Sequence, residues 1–267
     1  MHRPLSLVAA ALLCAGCSAV DTPTAKNADE PGVTAVSPAP HSAVRAAVTT
    51  TGRSSARIDQ KIVMANGEKE YTLTVTGGFD FAADQGRIAA AMPGGPFGRS
   101  EVTFAGGNAY ISGAKGLDDG VWGAMPRAKA EAHYLLRAPL NDPEHILKQV
   151  SALRNVSHEG EATVHGVRAA HYRGTLDHEA FTLRMARDVR KAADQIREKL
   201  GDDLPVFADV WVDDRGRLVR TRMAVGTGPV DMTVTMTLTD FGKPVRVTVP
   251  KAGNTLPVAA GTGILLG

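Results

Sequence analysis

The stretch that decides the fold is Asp231-Met-Thr-Val-Thr-Met-Thr-Leu-Thr239. Its apolar side chains alternate with threonines, so the pattern repeats every two residues. Because successive side chains of a strand point to opposite faces of a sheet, one face of this segment is apolar and the other is polar. The pattern predicts an antiparallel strand that lies against a hydrophobic core on one side only.

The same period of two recurs along most of the chain from Ser54 onward. Two alternating segments, Ala56–Met64 and Tyr71–Val75, flank Asn66-Gly67, a dipeptide that strongly favours a hairpin turn. Further strands are predicted at Gly86–Met92, Glu101–Phe104, Ala109–Ser112, Asn155–Val164, Val167–Thr175, Val206–Asp213 and Arg217–Val225. The domain is therefore expected to be built mainly of antiparallel sheet.

Two helices are predicted between these strands. Asp142-Pro143 has an N-cap residue followed by proline at the first helical position, and apolar residues then follow with helical spacing. A longer helix is predicted from His178 to Leu200, with Asp177 as its cap and Gly201 just past its end. The expected apolar face of this helix consists of Phe181, Met185, Val189, Ala192, Ile196 and Leu200. Its other faces are crowded with arginine and lysine, which fits either a solvated face or contact with anionic lipid headgroups.

The first residues have the features of an export signal. A charged start is followed by the apolar run Leu5–Leu13, which is too short to span a bilayer, and then by Cys14-Ala15-Gly16-Cys17. Small residues immediately before a cysteine resemble bacterial lipoprotein signals, in which that cysteine receives a diacylglyceryl group. We therefore predict residues 1–16 as a lipoprotein signal peptide and Cys17 as the lipidated residue. The departure from lipoprotein signals is Cys14, at the position where they usually carry leucine. The alternative is an ordinary secretion signal in which a cysteine stands at the cleavage site by chance.

Residues 17–41 are predicted to form a disordered tether, because they combine prolines with small and polar residues and hold almost no large apolar side chain. The stretch Ser42–Thr50 that follows is compatible with a short helix.

Removal of residues 1–16 takes away one arginine, so Lys plus Arg falls from 30 to 29 against 28 Asp plus Glu. This near-neutral balance argues against a nucleic-acid partner, whose recognition needs a dense positive surface. Removal of Cys14 leaves Cys17 alone, which excludes a disulfide within the mature chain and cysteine-ligated metal.

No motif for catalysis, metal binding or a cofactor emerges from the sequence. None of the eight histidines is paired with another at a spacing of four residues, and we expect no metal site. The loop Ser112-Gly113-Ala114-Lys115 only loosely matches a serine–lysine nucleophile motif. The chain is therefore predicted not to be an enzyme, an envelope hydrolase being the least favoured of the functions considered.

Several segments of the C-terminal half, taken in their order, resemble actinobacterial lipoproteins of the LppX/LprG type. They are Val167–Asp177, the long helix, Val210–Arg220 and Leu238–Val245, with Trp122 before Met125-Pro126 and Asp142-Pro143 before a helix in the same order. The resemblance covers roughly residues 42–250 and leaves residues 251–267 as a C-terminal tail. It implies an α+β fold similar to LolA and LolB, in which a strongly curved antiparallel sheet forms a half-barrel with helices packed on its concave face.

The resemblance also implies an apolar cavity that accepts acyl chains of lipids or glycolipids. The residues nominated for its lining are Leu73, Val75, Phe181, Met185, Met232, Val234, Met236 and Leu238. The implied function is a membrane-anchored extracytoplasmic lipoprotein that binds or carries acylated lipids and hands them to an envelope transporter or acceptor protein. The alternative is a sensor or accessory lipoprotein that has no cargo and acts through protein contacts at the cell envelope.

Overall fold

A computed structural model describes residues 39–95, 97–226, 230–259 and 263–267 of the chain. The predicted signal peptide, Cys17 and nearly all of the predicted tether lie outside these residues. The helices are α1 Pro40–Thr51, α2 Pro143–Ser151, α3 His178–Phe181 and α4 Arg187–Leu200, with 3-10 turns at Arg127–Lys129, Pro139–Asn141 and Ala252–Asn254. The strands are β1 Ser55–Asn66, β2 Lys69–Asp80, β3 Gln85–Ala91, β4 Arg99–Ala105, β5 Asn108–Ser112, β6 Trp122–Pro126, β7 Arg154–Val164, β8 Val167–Leu176, β9 Val206–Asp213, β10 Leu218–Gly226, β11 Val230–Thr239 and β12 Thr255–Pro257.

The strands form a single open sheet in the order β12-β6-β5-β4-β3-β2-β1-β11-β10-β9-β8-β7. Neighbouring strands are antiparallel except for β12, which runs parallel to β6. The hairpin of β1 and β2 turns at Asn66, and β1 also pairs with β11 along its length, so the first and last long strands meet in the middle of the sheet. The predicted α+β fold, a curved antiparallel half-barrel with helices on its concave face, is confirmed.

Strand β11 shows how the sequence produces this architecture. Its apolar side chains Met232, Val234, Met236 and Leu238 are all buried, whereas Thr233 and Thr235 between them are partly exposed. We call the helix-covered side that holds these apolar residues the inner face and the opposite side the outer face. The predicted alternation is confirmed, and it fixes which face of the sheet receives the helices.

The helix α2 begins as predicted. The carboxylate of Asp142 accepts a hydrogen bond from the N–H of Glu144 at 3.0 Å, and Pro143 occupies the first turn. Ile146 and Val150 are fully buried against the inner face. The helix α1 lies beside α2 and contacts β7, β9 and β10, and the hydroxyl of Thr51 at its end accepts a hydrogen bond from the N–H of Leu218. Together α1 and α2 form a fixed part of the helical layer.

The single helix predicted from His178 to Leu200 is wrong, because the chain forms two helices there. The short α3 ends at Phe181, and Arg184 then adopts a positive φ of 53°. The backbone on either side of Met185 bonds instead to Ala132, whose N–H donates to the carbonyl of Arg184 and whose carbonyl accepts from the N–H of Ala186, both at 2.8 Å. These distant partners satisfy backbone groups that a continuous helix would have used.

The break also changes which side chains face the core. Phe181 and Met185 are buried as predicted, but Leu200 is 58% exposed. In α4 the buried residue is Ala193 rather than the predicted Ala192. Beyond Met185 the predicted apolar face is therefore wrong at Ala192 and Leu200, whereas Val189 and Ile196 pack partly against the core.

The C-terminal segment contributes to the domain, although the sequence pattern offers no sign of it. Thr255–Pro257 form β12 at the edge of the sheet, and Leu265 and Leu266 are buried in the main core. The fully buried Arg137 donates a hydrogen bond to the carbonyl of Ile264 at 3.0 Å. The residues predicted as a tail thus pack onto the fold.

Candidate functional site

The eight residues nominated for a cavity lining lie together on the inner side of the sheet and helices. All eight belong to one continuous apolar core, and the most exposed of them, Met185, has only 8% of its surface accessible. None of them lines any of the four cavities described below. The structure therefore brings these residues together as a closed core.

Methionine is concentrated in this core. Met185, Met223, Met232 and Met236 are buried in it, and Met64 packs against it. The methionine side chain is unbranched and has three rotatable bonds, so it adapts to partners of irregular shape better than a branched aliphatic side chain does. The centre of the inner face is therefore apolar and adaptable.

A row of residues crosses this face at right angles to the strands. The strand register aligns Ser100, Ala90, Val75, Gln60, Met236 and Thr221 as successive cross-strand neighbours from β4 to β10. Within this row, the side chains of Ser100, Gln60 and Thr221 are polar, and each is at most 1% exposed. Neither amide atom of Gln60 has a hydrogen-bond partner among the described residues, and the hydroxyls of Ser100 and Thr221 have none either.

Sequence reasoning missed this polar row. Gln60 stands between Ile58 and Ile62, at a position where the alternation of β1 requires an inward-facing residue. The signal present in the sequence was a polar residue at a strand position where the alternation calls for an apolar one. Burial of an unpaired amide or hydroxyl costs about 1–3 kcal/mol, so three such groups on one inner face call for an explanation.

One end of the row opens into a cavity of about 440 Å³. Ser100 forms part of its wall, and the other walls include Phe97, Leu117 and the C-terminal residues Ile264–Leu266. Lys115 and Asp119 also line it. The neighbouring loop passes very close to β4, since a Cβ on Gly113 would lie 2.2 Å from the carbonyl oxygen of Arg99. The cavity is thus a mainly apolar crevice with a buried hydroxyl in its wall.

Three further cavities lie elsewhere on the surface. One of about 550 Å³ lies beside α2 and is lined by His41, Lys148 and Asp177 among others. One of about 500 Å³ lies between β5, β6 and the C-terminal segment. The last, of about 450 Å³, is lined by five polar or glycine residues of α4 and its C-terminal end. None of these three is lined by a member of the polar row.

A buried ion-pair cluster fixes α2 to the sheet. The guanidinium of Arg127 donates two hydrogen bonds to the carboxylate of Asp142 at 2.8 and 2.6 Å and also contacts Asp84. It lies against the rings of Phe79 and Phe104, 5.1 and 4.9 Å from their centroids. Burial disfavours its charge, but the carboxylates of Asp142 and Asp84 outweigh this and raise the pKa of Arg127.

Two other buried basic groups lie near this cluster. Burial lowers the pKa of His145 to about 4, an effect that Asp142 opposes and Arg184 and Lys148 reinforce. Burial likewise lowers the pKa of Arg137 to about 10. Arg137 donates to the side chain of Asn141 at 2.6 Å and, as noted, to the C-terminal segment, so its part is to hold that segment in place.

The helix α4 covers the core with little burial of its own. Of its 14 residues, Ala193 is buried, and Val189 and Ile196 pack partly against the core. Its arginines and lysines face solvent, and among them Arg197 pairs with Asp203 at 2.7 Å. This part of the inner side is therefore closed by an amphipathic helix with a small apolar contact.

The histidines considered from the sequence are dispersed. His171 lies on the outer face, where it stacks on Trp211 with ring centroids 4.7 Å apart and bonds to Asp209 at 2.8 Å. Within the described ranges, no three histidine, cysteine or carboxylate side chains are grouped so as to hold a metal ion. None of the helices in those ranges has the length and apolarity that crossing a membrane requires.

Known proteins resemble this chain in sequence and in fold. Residues 129–247 match the family model described as LppX_LprAFG lipoprotein. Curated protein sequences include no significant match to the chain. The resemblance to LppX/LprG-type lipoproteins is thus confirmed over the matched residues.

Solved structures with a similar fold include two mycobacterial lipoproteins. LprF from Mycobacterium bovis is 16% identical, with 80% of this chain and 98% of that chain covered and a TM-score of 0.49. LppX from Mycobacterium tuberculosis is 15% identical, with 79% and 99% covered and a TM-score of 0.49. A LolA superfamily protein from Nitrosomonas europaea is 9% identical, with 79% and 94% covered and a TM-score of 0.34.

Proposed function

We propose that this chain, whose residues 129–247 match the LppX_LprAFG lipoprotein family model, binds and carries acylated lipids between its sheet and its helices. The observation that carries the proposal is the methionine content of the core between sheet and helices, where six methionines are buried: Met92, Met125, Met185, Met223, Met232 and Met236. The flexible thioether side chains of such a surface can rearrange around an acyl chain. Each methylene that the core keeps from water contributes about 0.8 kcal/mol to binding.

A closed core can accept a chain only if part of its cover moves. The helix α4 is suited to this movement because Ala193 is its one buried residue and Val189 and Ile196 are only partly buried, so its displacement exposes little apolar surface of the helix itself. An acyl chain bound where α4 had been would cover the core side chains that the displaced helix no longer covers.

The predicted anchor and tether fit this function. A diacylglyceryl group on Cys17 would hold the chain at the extracytoplasmic face of the cell membrane, and residues 17–41 would let the domain reach the lipid surface. Tethering raises the effective concentration of the domain there. A carrier fixed to one membrane must pass its cargo, an acyl lipid or glycolipid, to an acceptor or transporter protein of the envelope. No catalytic step is part of this proposal.

Lipid uptake by the full chain tests the proposal. The chain would carry Cys17→Ser, so that no anchor lipid confuses the measurement, and would be incubated with vesicles and analysed by native mass spectrometry. We expect Met236→Glu to abolish uptake, because it places a charge at the centre of the inner face. The matched control is Thr235→Glu, which makes the same charge on the outer face of the same strand, opposite Lys61 and Arg222.

A second variant keeps the test decisive if Met236→Glu fails to fold. Met232→Trp adds bulk to the inner face at a typical overpacking cost of about 1–3 kcal/mol, and it should reduce uptake while the circular dichroism spectrum is retained. Absence of any lipid on the unsubstituted chain, after purification and after incubation with vesicles, would overturn the carrier proposal.

The closed core favours a second candidate function. With every nominated lining residue buried, the domain could serve as a sensor or accessory lipoprotein that acts through protein contacts at the envelope. The stacked His171 and Trp211, with Arg220 above the indole ring at 5.8 Å, give its outer face an aromatic and basic surface of the kind found at protein interfaces. A lipid-free chain that retains a stable fold would favour this candidate.

A further inference from the structure

The buried polar row of the inner face has no structural role that its neighbours explain. Gln60 is fully buried with both amide atoms unpartnered, and its cross-strand neighbours on either side are Val75 and Met236. Thr221 lies beyond Met236, and Ser100 lies beyond Val75 and Ala90. Apolar residues thus separate the three polar groups, so they do not bond to one another.

We infer that this row is an internal recognition site for the ester carbonyls of an acyl lipid, with Gln60 as its principal hydrogen-bond donor. The inference rests on the proposed lipid-binding function and adds to it the chemical class of the ligand. An amide NH₂ has two donors and a hydroxyl has one, so all three side chains can donate to a carbonyl oxygen. A purely hydrocarbon ligand would leave all three unpaired, whereas a ligand with acyl ester groups would satisfy them.

The dimensions of the row fit such a ligand. Ser100 and Thr221 are separated by five inter-strand steps, which amounts to about 24 Å at about 4.8 Å per step. Gln60 lies near the middle, three steps from Ser100 and two from Thr221. Two esters on adjacent glycerol carbons are closer together than these intervals and would reach one donor, whereas acyl esters on separate positions of a larger headgroup could reach more than one.

The cavity at Ser100 gives the row access to the surface. Its walls combine the buried hydroxyl of Ser100 with the apolar side chains of Phe97, Leu117 and the C-terminal leucines. Lys115 and Asp119, which also line it, offer charged contacts to a polar headgroup. The headgroup of a lipid whose acyl chain is admitted by displacement of α4 could lie in this cavity, at the β4 end of the row.

The test compares two probes that differ only in the carbonyl. Vesicles would contain either dipalmitoyl phosphatidylcholine or its dihexadecyl ether analogue, and uptake by the full chain carrying Cys17→Ser would be measured by native mass spectrometry. We expect the diester to be preferred about tenfold, since one buried hydrogen bond contributes about 1.4 kcal/mol. Gln60→Leu should remove most of this preference and leave uptake of the ether unchanged or increased.

The control makes the same chemical change away from the row. Gln149→Leu replaces another buried glutamine, one that lies on α2 and donates to the carbonyl of Ala180, and it should leave the preference intact. Gln60→Met is a second variant of similar length, in case the branched leucine does not fit. Thr221→Val should reduce the preference less than Gln60→Leu does.

The outcomes separate this inference from the function on which it rests. Uptake of both probes with no preference, or a preference that Gln60→Leu leaves unchanged, overturns the inference alone. Failure to take up either probe overturns the lipid-binding function and this inference with it.

Discussion

The helices α2 and α4 differ in what holds them, although both are amphipathic and both cover the inner face of the sheet. Six residues of the nine-residue α2 are buried, whereas Ala193 is the buried residue in the 14-residue α4. In addition, α2 is capped by Asp142, which is itself paired with the buried Arg127. The arginines and lysines of α4 are exposed, as in the pair of Arg197 with Asp203.

The difference shows that amphipathicity indicates which face of a helix meets a core but not how firmly the helix is held. Firmness comes from buried area and from polar groups that the rest of the fold satisfies. On this view, α2 is a fixed wall of the interior and α4 is its movable cover. The predictions that follow test this assignment.

The largest effect is expected from Arg127→Met, which breaks the buried clamp of α2. The substitution leaves the carboxylate of Asp142, only 3% exposed, without its partner. Loss of one partner of a buried ion pair typically costs about 3–5 kcal/mol. Urea unfolding should show a loss of this size, and the matched change at the other helix, Arg197→Met, should cost less than about 0.5 kcal/mol. Equal losses would contradict the difference between the helices.

The same amino acid on each helix gives a direct comparison of packing. Ile146 of α2 is fully buried, whereas Ile196 of α4 is only partly buried. We expect Ile146→Ala to lower the free energy of unfolding by about 3 kcal/mol and Ile196→Ala by less than about 1 kcal/mol. Chemical denaturation of both variants measures this. A cost at Ile196 as large as that at Ile146 would mean that α4 is an ordinary part of the core.

The α2 region should also show a dependence on pH that α4 lacks. Because burial lowers the pKa of His145 to about 4 from an ordinary value of 6.5, the unfolded chain takes up a proton between these values and the folded chain does not. Stability should therefore fall as the pH drops from about 6.5 towards 4, by up to about 3 kcal/mol.

The check on this pH dependence is a comparison with His145→Leu. The His145→Leu variant lacks this contribution to the pH dependence of stability. The difference in unfolding free energy between the two chains should therefore change steadily across that pH window. A difference that stays constant from pH 7 to pH 4 would show that the pKa of His145 is the same in the folded and the unfolded chain.

The sequence predicted the parts of this fold that depend on local patterns. The alternation in β11, the Asn66-Gly67 turn and the Asp142-Pro143 start of α2 are decided by neighbouring residues, and all three are present. The break before α4 depends on the backbone of Ala132, more than fifty residues earlier in the chain, and no local pattern contains that information.

The candidate site was predictable only in part for a related reason. Periodicity placed the eight nominated residues on the inner side, where they all lie. It does not determine whether facing side chains meet or leave a space, because that depends on how closely the helical layer approaches the sheet. Attention to apolar positions alone also passed over Gln60, the one polar side chain in the inward phase of β1 between Ile58 and Ile62.

The smallest effect is expected within α4 itself, where glycine can be introduced without touching the core. Ala192 is exposed in the middle of the helix, so Ala192→Gly should lower the local helix stability by about 1 kcal/mol. If α4 opens separately from the rest, hydrogen exchange of its amides should accelerate about fivefold, while the midpoint of global unfolding and the exchange of α2 stay unchanged. If α4 unfolds only together with the core, the midpoint of global unfolding must fall instead. The result therefore decides whether the domain has a cover that can open while its sheet remains folded, which is the physical requirement for a closed core to admit a lipid.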